Sequence, residues 1–189
     1  MERIVCLAIG YLFGIFQTAY IYGKMNGIDI REYGSGNAGT TNALRTLGKK
    51  AGAMTLIGDM LKCVIAILIV DAVFKNRYQE ILPLLGMYTA AGCVLGHNFP
   101  FYLKFKGGKG IAASSGVVIS LMLFPKYCFM FTVFGIVFFA LVARISRYVS
   151  LASLIGMAMF FVEFLIWGFL GWLPLNGTEL LEGTVLAFD

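Results

Sequence analysis

The chain has 189 residues, of which 59% are hydrophobic and 13% charged, with 15 Lys and Arg against 10 Asp and Glu; its mean hydropathy is +0.84. That balance excludes an ordinary water-soluble domain and predicts an integral membrane protein. The net charge of +5 suits an anionic leaflet and an anionic substrate alike, and nothing else supports nucleic-acid binding.

A helix needs about 20 apolar residues to cross the hydrocarbon core. Runs at 4–23, 51–74, 81–96, 111–124, 127–143 and 148–172 predict six such helices. The third and fourth are short and need neighbouring helices or local thinning to fit. No alternating ten-residue strands are present, which excludes a closed barrel and predicts an all-α polytopic transmembrane helix bundle. The first run continues through Phe16, Tyr20 and Tyr22, too far for a signal peptide, so it is expected to be retained. No linker interrupts the chain, and residues 1–189 are expected to form a single domain.

Gly10 and Gly14 on the first span make a small-residue face for packing against another helix. Asp59 and Lys62, three apart inside the second span, predict a structural ion pair, with a proton path as the lesser alternative. Cys6, Cys63, Cys93 and Cys128 fall inside predicted spans without Cys-x-x-Cys spacing and read as apolar filler. With one histidine in the chain, no metal site is expected, and no cofactor is called for.

Basic residues fix the orientation, because they concentrate on the cytoplasmic side. Lys24, Arg31, Arg45, Lys49, Lys50, Lys104, Lys106, Lys109, Arg144 and Arg147 fall in the first, third and fifth connections; the other side has Arg3, Lys75, Arg77 and Lys126. The N-terminus is expected outside and the first and third loops in the cytoplasm.

Those two loops carry the chemistry. The first, Gly34-Ser35-Gly36-Asn37-Ala38-Gly39-Thr40-Thr41-Asn42-Ala43-Leu44-Arg45, combines glycines that let backbone N–H groups converge on phosphate oxygens with hydroxyl and amide donors and one arginine fork. Turn-making and helix capping alone would need fewer such residues. The second, Lys104-Phe105-Lys106-Gly107-Gly108-Lys109-Gly110, is similar to a Walker A loop only in part: glycine follows Lys109 where Ser or Thr belongs, and no strand precedes it. A helix starting near Ile111 would place its positive end behind this loop, which favours anions without implying a nucleotide. His97 opens the third loop as a hydrogen-bonded structural residue or as a substrate contact.

Taken in order, Gly-Ser-Gly-Asn-x-Gly-x-Thr-Asn-x-x-Arg, Gly96-His97-Asn98-Phe99-Pro100 leading to Lys-Phe-Lys-Gly-Gly-Lys-Gly, and Tyr148-Val149-Ser150-Leu151-Ala152-Ser153 resemble the motifs of the bacterial acyl-phosphate-dependent glycerol-3-phosphate acyltransferases. The resemblance implies a multi-span enzyme of the bacterial inner membrane whose active site faces the cytoplasm. It would move a fatty acyl group from acyl phosphate to the 1-hydroxyl of glycerol 3-phosphate, giving lysophosphatidic acid, the first step of phospholipid synthesis. Its partners would be those two substrates and the bilayer, with no obligate protein partner. Ser35, Gly36, Asn37, Ala38 and Gly39, with Gly107, Gly108, Lys109 and Gly110, would cradle the acyl phosphate. Arg45 and Lys104 would hold glycerol phosphate and the developing charge, Thr41, Asn42, His97 and Ser150 would line its pocket, and Ser35, Arg45 and Lys104 would be the catalytic set. Acyl phosphate is already activated, so alignment and charge neutralisation would carry the rate, with a phosphate oxygen taking the hydroxyl proton.

In that family a seventh helix and a basic tail follow the third motif. Here Gly171-Trp172-Leu173-Pro174 leads into an acidic stretch, and residues 173–189 are atypical. A truncated, inactive acyltransferase is therefore one alternative. A small transporter or anion-conducting bundle is another, with Asp59 and Lys62 on its path, although no matching polar set is predicted outside.

Overall fold

The computed structural model describes residues 1–121 and 128–169. The end of the fourth predicted span, the end of the sixth and the atypical residues 173–189 lie outside the described residues. Among the described residues every regular element is helical, and the chain divides into two compact units, Met1–Ser120 and Leu121–Asp189.

In the first unit α1 (Glu2–Gly14) and α2 (Thr18–Met25) share the first apolar run, and α3 (Thr40–Leu47) is a short helix in the loop that follows. Then come α4 (Lys49–Phe74), α5 (Leu82–Asn98) and α6 (Ile111–Leu121). Two stretches are long and apolar enough to cross a membrane, Glu2–Met25 and Lys49–Phe74; shorter apolar helical stretches run over Val133–Ser146 and Val149–Glu163. The second unit is a hairpin of α7 (Cys128–Ser146) on α8 (Val149–Phe169), joined by a tight turn in which Arg147 is left-handed at φ 60°.

Helix α1 packs most extensively on α5, and glycine explains why. A Cβ at Gly10 or Gly14 would drive into the carbonyls of Thr89 or Cys93, and one at Gly92 or Gly96 into those of Leu7 or Tyr11. The two backbones therefore touch, and dispersion over many atoms replaces side-chain interdigitation. At one end of this pair Cys6, Val70 and Leu85 form a buried cluster with Ile9, Phe74 and Tyr88 around it, and the Tyr78 hydroxyl donates to Glu2 Oε1 at 2.8 Å. Cys6, Cys63 and Cys93 are all buried free thiols, as filler residues would be.

The first span is not one continuous helix. It breaks at residues 15–17, between α1 and α2. Broken backbone at membrane depth survives only where its freed polar groups find partners. Here the Lys62 ammonium donates to the carbonyls of Gly14 at 3.0 Å and Phe16 at 2.6 Å, and the Tyr102 hydroxyl donates to that of Ile15 at 2.8 Å. Gln17 is fully buried and donates through Nε2 to the His97 carbonyl at 2.7 Å. Asp59 completes the joint, 3.1 Å from Lys62 Nζ and accepting from the Thr18 hydroxyl at 3.0 Å. The expected ion pair is present, and it staples the break.

Candidate active site

The first loop is built on a turn and an asparagine. Gly34 and Gly36 take the left-handed conformation (φ 58° and 69°) that lets the chain reverse tightly, and the Gly36 N–H donates to the Tyr33 carbonyl at 3.0 Å. Asn42, fully buried in the first turn of α3, uses its whole amide on the loop: Nδ2 donates to the carbonyls of Ile30 and Tyr33, both at 3.0 Å, and Oδ1 accepts from the Ser35 N–H at 2.9 Å. Beneath, Ala19, Ile30, Ala38, Ala43 and Ala51 form a small core with Tyr20, Tyr22 and Leu47 against it. Gly39 caps α3 in extended backbone, so the N–H groups of the first turn open toward residues 35–39. The Thr40 hydroxyl beside them is buried without a partner among the described residues.

The second loop folds back on the end of α5. Gly107 N–H donates to the Asn98 carbonyl at 3.1 Å and Gly108 N–H to that of His97 at 3.0 Å. The reversal puts Lys104 and Phe105, two non-glycine residues, at φ 56° and 59°. Such conformations each cost of order 1–3 kcal/mol and persist where the surroundings over-determine them. Here the determinants are N–H bonds from Lys104, Phe105 and Lys106 to the carbonyls of Phe101, Pro100 and Leu103 at 3.0–3.2 Å. They leave the Lys104 ammonium exposed beside the loop. Helix α6 begins at Ile111, directly behind Gly110, as the sequence predicts.

The feet of the two loops are tied together. Arg31 Nη1 donates to the Leu103 carbonyl at 3.4 Å, and Tyr20 meets Tyr102 edge to face at 6.2 Å. Arg31 is held from the other side by Asp29, which accepts from Nε at 3.0 Å and Nη2 at 2.7 Å, and its guanidinium lies 5.0 Å over the Tyr20 ring. The hydrogen-bonded Arg31 side chain lowers the Asp29 carboxyl to about 2.

Of the residues singled out in the sequence, Ser35, Gly36, Asn37, Ala38, Gly39, Thr41, Asn42 and Arg45 lie on the first loop and α3, while His97, Lys104, Gly107, Gly108, Lys109 and Gly110 lie on the end of α5 and the second loop. Ser35, Arg45, Lys104 and Lys109 are exposed, whereas Ala38, Gly39, Asn42, His97 and Gly110 are buried. Ser150 belongs to the other unit, exposed in the first turn of α8. Residues that sequence reasoning did not assign to the site are Asp29, Arg31, Tyr20, Tyr102 and Lys62. The signal for the first two was an opposite-charge pair two residues apart just before the motif. His97 Nδ1 is 2.7 Å from Lys62 Nζ and 3.8 Å from Asp59 Oδ1, which places the only histidine in the ion-pair joint.

This fold and these loops define an all-helical membrane protein whose two glycine loops are anchored to one another. The chain belongs to the glycerol-3-phosphate acyltransferase family, whose model matches residues 4–188 and so extends through the atypical C-terminal stretch. The glycerol-3-phosphate acyltransferase of Clostridioides difficile (strain 630) is 47% identical over 155 residues, covering 81% of this chain and 72% of its own. That of Thermoanaerobacter sp. (strain X514) is 42% identical over 161 residues, covering 85% and 75%. The crystal structure of PlsY (YgiH), an integral membrane glycerol 3-phosphate acyltransferase, superposes in its glycerol 3-phosphate form with a TM-score of 0.73 at 30% identity, covering 96% of this chain and 88% of that one. Its lysophosphatidic acid form gives 0.71 at 30% identity, covering 96% and 87%.

Proposed function

We propose that this chain acylates the 1-hydroxyl of glycerol 3-phosphate with acyl phosphate as donor, releasing lysophosphatidic acid and phosphate. The hydroxyl oxygen attacks the acyl carbon, the bond from that carbon to the phosphate oxygen breaks, and the departing phosphate takes the hydroxyl proton. Atoms and charge balance without a covalent enzyme intermediate. A carboxylate base is not required: Asp29 and Glu32 both precede the motif, and Asp29 is engaged by Arg31.

The observation that carries this reading is the tie between the loop feet, Arg31 to Leu103 and Tyr20 to Tyr102. Two phosphoryl groups must be held close together for the transfer, and two anchored anion-receptive loops suit that task. Residues 35–39 and 107–110 would cradle the acyl phosphate, with the N–H groups of Ser35, Gly36, Gly39, Gly107 and Gly108 spent on shaping the two loops and those of Asn37, Ala38, Lys109 and Gly110 left to face the phosphate. Arg45 and Lys104 would bind glycerol phosphate and offset charge on the tetrahedral intermediate, with Thr41 as a further contact. Asn42 would act by shaping the first loop, since its amide is fully used there. The loops would face the cytoplasm from a six-span bundle of the bacterial inner membrane, with the N-terminus outside.

The test is acyl transfer by the purified chain in lipid nanodiscs with palmitoyl phosphate and glycerol 3-phosphate. Lysophosphatidic acid is expected from the parent and loss of about 100-fold or more from Arg45→Ala, as for removal of one transition-state donor. Product from palmitoyl coenzyme A but none from palmitoyl phosphate would sink the donor assignment.

A further inference from the structure

Lys62 and His97 are 35 residues apart, yet their nitrogens meet at 2.7 Å in a buried joint. The other partners of Lys62 are the carbonyls of Gly14 and Phe16 and Oδ1 of Asp59. Asp59 Oδ1 is an ion-pair partner, which calls for a charged Lys62, and the three N–H groups of that ammonium go to the two carbonyls and to the His97 ring nitrogen, with no lone pair to offer. The His97 nitrogen facing it must therefore be bare. In a neutral ring the proton then sits on Nε2, and Nε2 lies against Gly108, where a Cβ would collide with it. Among the described residues the ring makes its hydrogen bond through Nδ1, and none is made by Nε2. An N–H that makes no bond to the protein thus sits directly under the second loop.

We propose that Lys62 is a positioning residue: by donating to Nδ1 it fixes His97 as the Nε2–H tautomer and aims that N–H at the phosphoryl group of the acyl phosphate in the Gly107–Gly110 loop. This rests on the acyl-phosphate reading of the loop. It makes His97 a hydrogen-bond donor, with no site left on the ring to serve as a base. It also explains Gly108, since any side chain there would cover the donor. The charged groups facing the ring are Lys62 and Asp59, both from α4.

Because the chain has one histidine, imidazole-labelled nitrogen NMR of the whole protein in nanodiscs, purified through a histidine-free tag, reads His97 alone. A bare Nδ1 and protonated Nε2 are expected in the parent, with the Nε2 resonance moving on addition of palmitoyl phosphate. In Lys62→Met the ring turns to Nδ1–H, donating to Asp59. If that variant does not fold, Asp59→Asn/Lys62→Met removes both charges and should show a mixture of tautomers. In steady state Lys62→Met raises KM for palmitoyl phosphate about tenfold, the value of one hydrogen bond to a charged group, with a smaller change in kcat. In a His97→Gln background, where the amide supplies a donor without tautomers, the same Lys62→Met change alters KM less than about twofold. A parent with protonated Nδ1, or an equal KM loss in both backgrounds, overturns the proposal. So does an Nε2 resonance that ignores palmitoyl phosphate while the enzyme turns it over. No turnover of palmitoyl phosphate at all would instead sink the donor assignment, and the tautomer of the unliganded protein would still decide the hold of Lys62 on His97.

Discussion

Asp29 and Asn42 hold the first loop from outside its motif and from within. Asn42 is neutral and buried, so its three bonds do not titrate. Asp29 does titrate, and Arg31 lowers its carboxyl to about 2 from the ordinary 3.8. A depressed carboxylate stabilises the fold fully above its unfolded value and loses that contribution as pH falls through the folded one. The contribution is therefore constant from pH 8 to about 5 and disappears between about 4 and 2. Asp29→Asn is expected to lower stability at pH 7 by about 1 kcal/mol, the scale of a partly exposed pair, and the gap in thermal midpoint should close as pH is taken to 2 in detergent. A gap of constant size across that range would mean that the charge of Asp29 contributes nothing. The two loops themselves were legible, because glycine density, short donors and one arginine set them apart from ordinary turns without any knowledge of the fold. The partnership of Lys62 with His97 was not, because it depends on the register of α4 against α5 and on where the first span breaks.

At the level of elements, the helices were legible from apolar run length: α4, α5, α7 and α8 begin within a few residues of the expected positions, although two stretches alone among the described residues, Glu2–Met25 and Lys49–Phe74, have spanning length. Two local features were not. Gln17 was the one strongly polar residue within the first apolar run, and it marks the break, but a single amide does not separate a kink from a continuous helix. Helix α3 was hidden by its polar composition, though Ala43 and Leu47, four apart, already outlined its buried edge. Gly10 and Gly14 were read as a contact face, and the partner face, Gly92 and Gly96, emerges only from the packing. That packing makes a sharp contrast testable. Gly10→Ala and Gly96→Ala place a methyl against backbone that cannot rotate away, and each should destabilise by about 1–3 kcal/mol or more, as overpacking does. Gly135→Ala and Gly156→Ala, in the α7–α8 hairpin, meet nothing nearer than 3.9 and 3.7 Å and should be tolerated within about 0.5 kcal/mol. Thermal unfolding in one detergent decides it: equal shifts at all four positions would mean that α1 and α5 do not pack backbone to backbone.

At the scale of the molecule, charge and helix length together predict an orientation. Helix α4 has 26 residues, a length of about 39 Å, more than the roughly 30 Å of hydrocarbon it must cross. Its ends are therefore expected to emerge on opposite sides, Lys49 and Lys50 at one and Lys75 and Arg77 at the other. Helix α5 then returns toward the side of Lys49, which puts Lys104, Lys106 and Lys109 with Arg45 and the first loop. That end is the more basic one and should be cytoplasmic, where phosphorylated substrates are made and where an anionic leaflet adds to their local concentration. In a background lacking the four native cysteines, Arg77→Cys should react with a membrane-impermeant maleimide added to intact cells. Lys106→Cys, exposed on the second loop, should react only after the cells are opened. The reverse pattern would turn the molecule over and expose both glycine loops to a compartment without acyl phosphate, leaving the proposed reaction without its donor. Labelling of both positions in intact cells would mean that α4 does not span the membrane, and the length argument would fail with it.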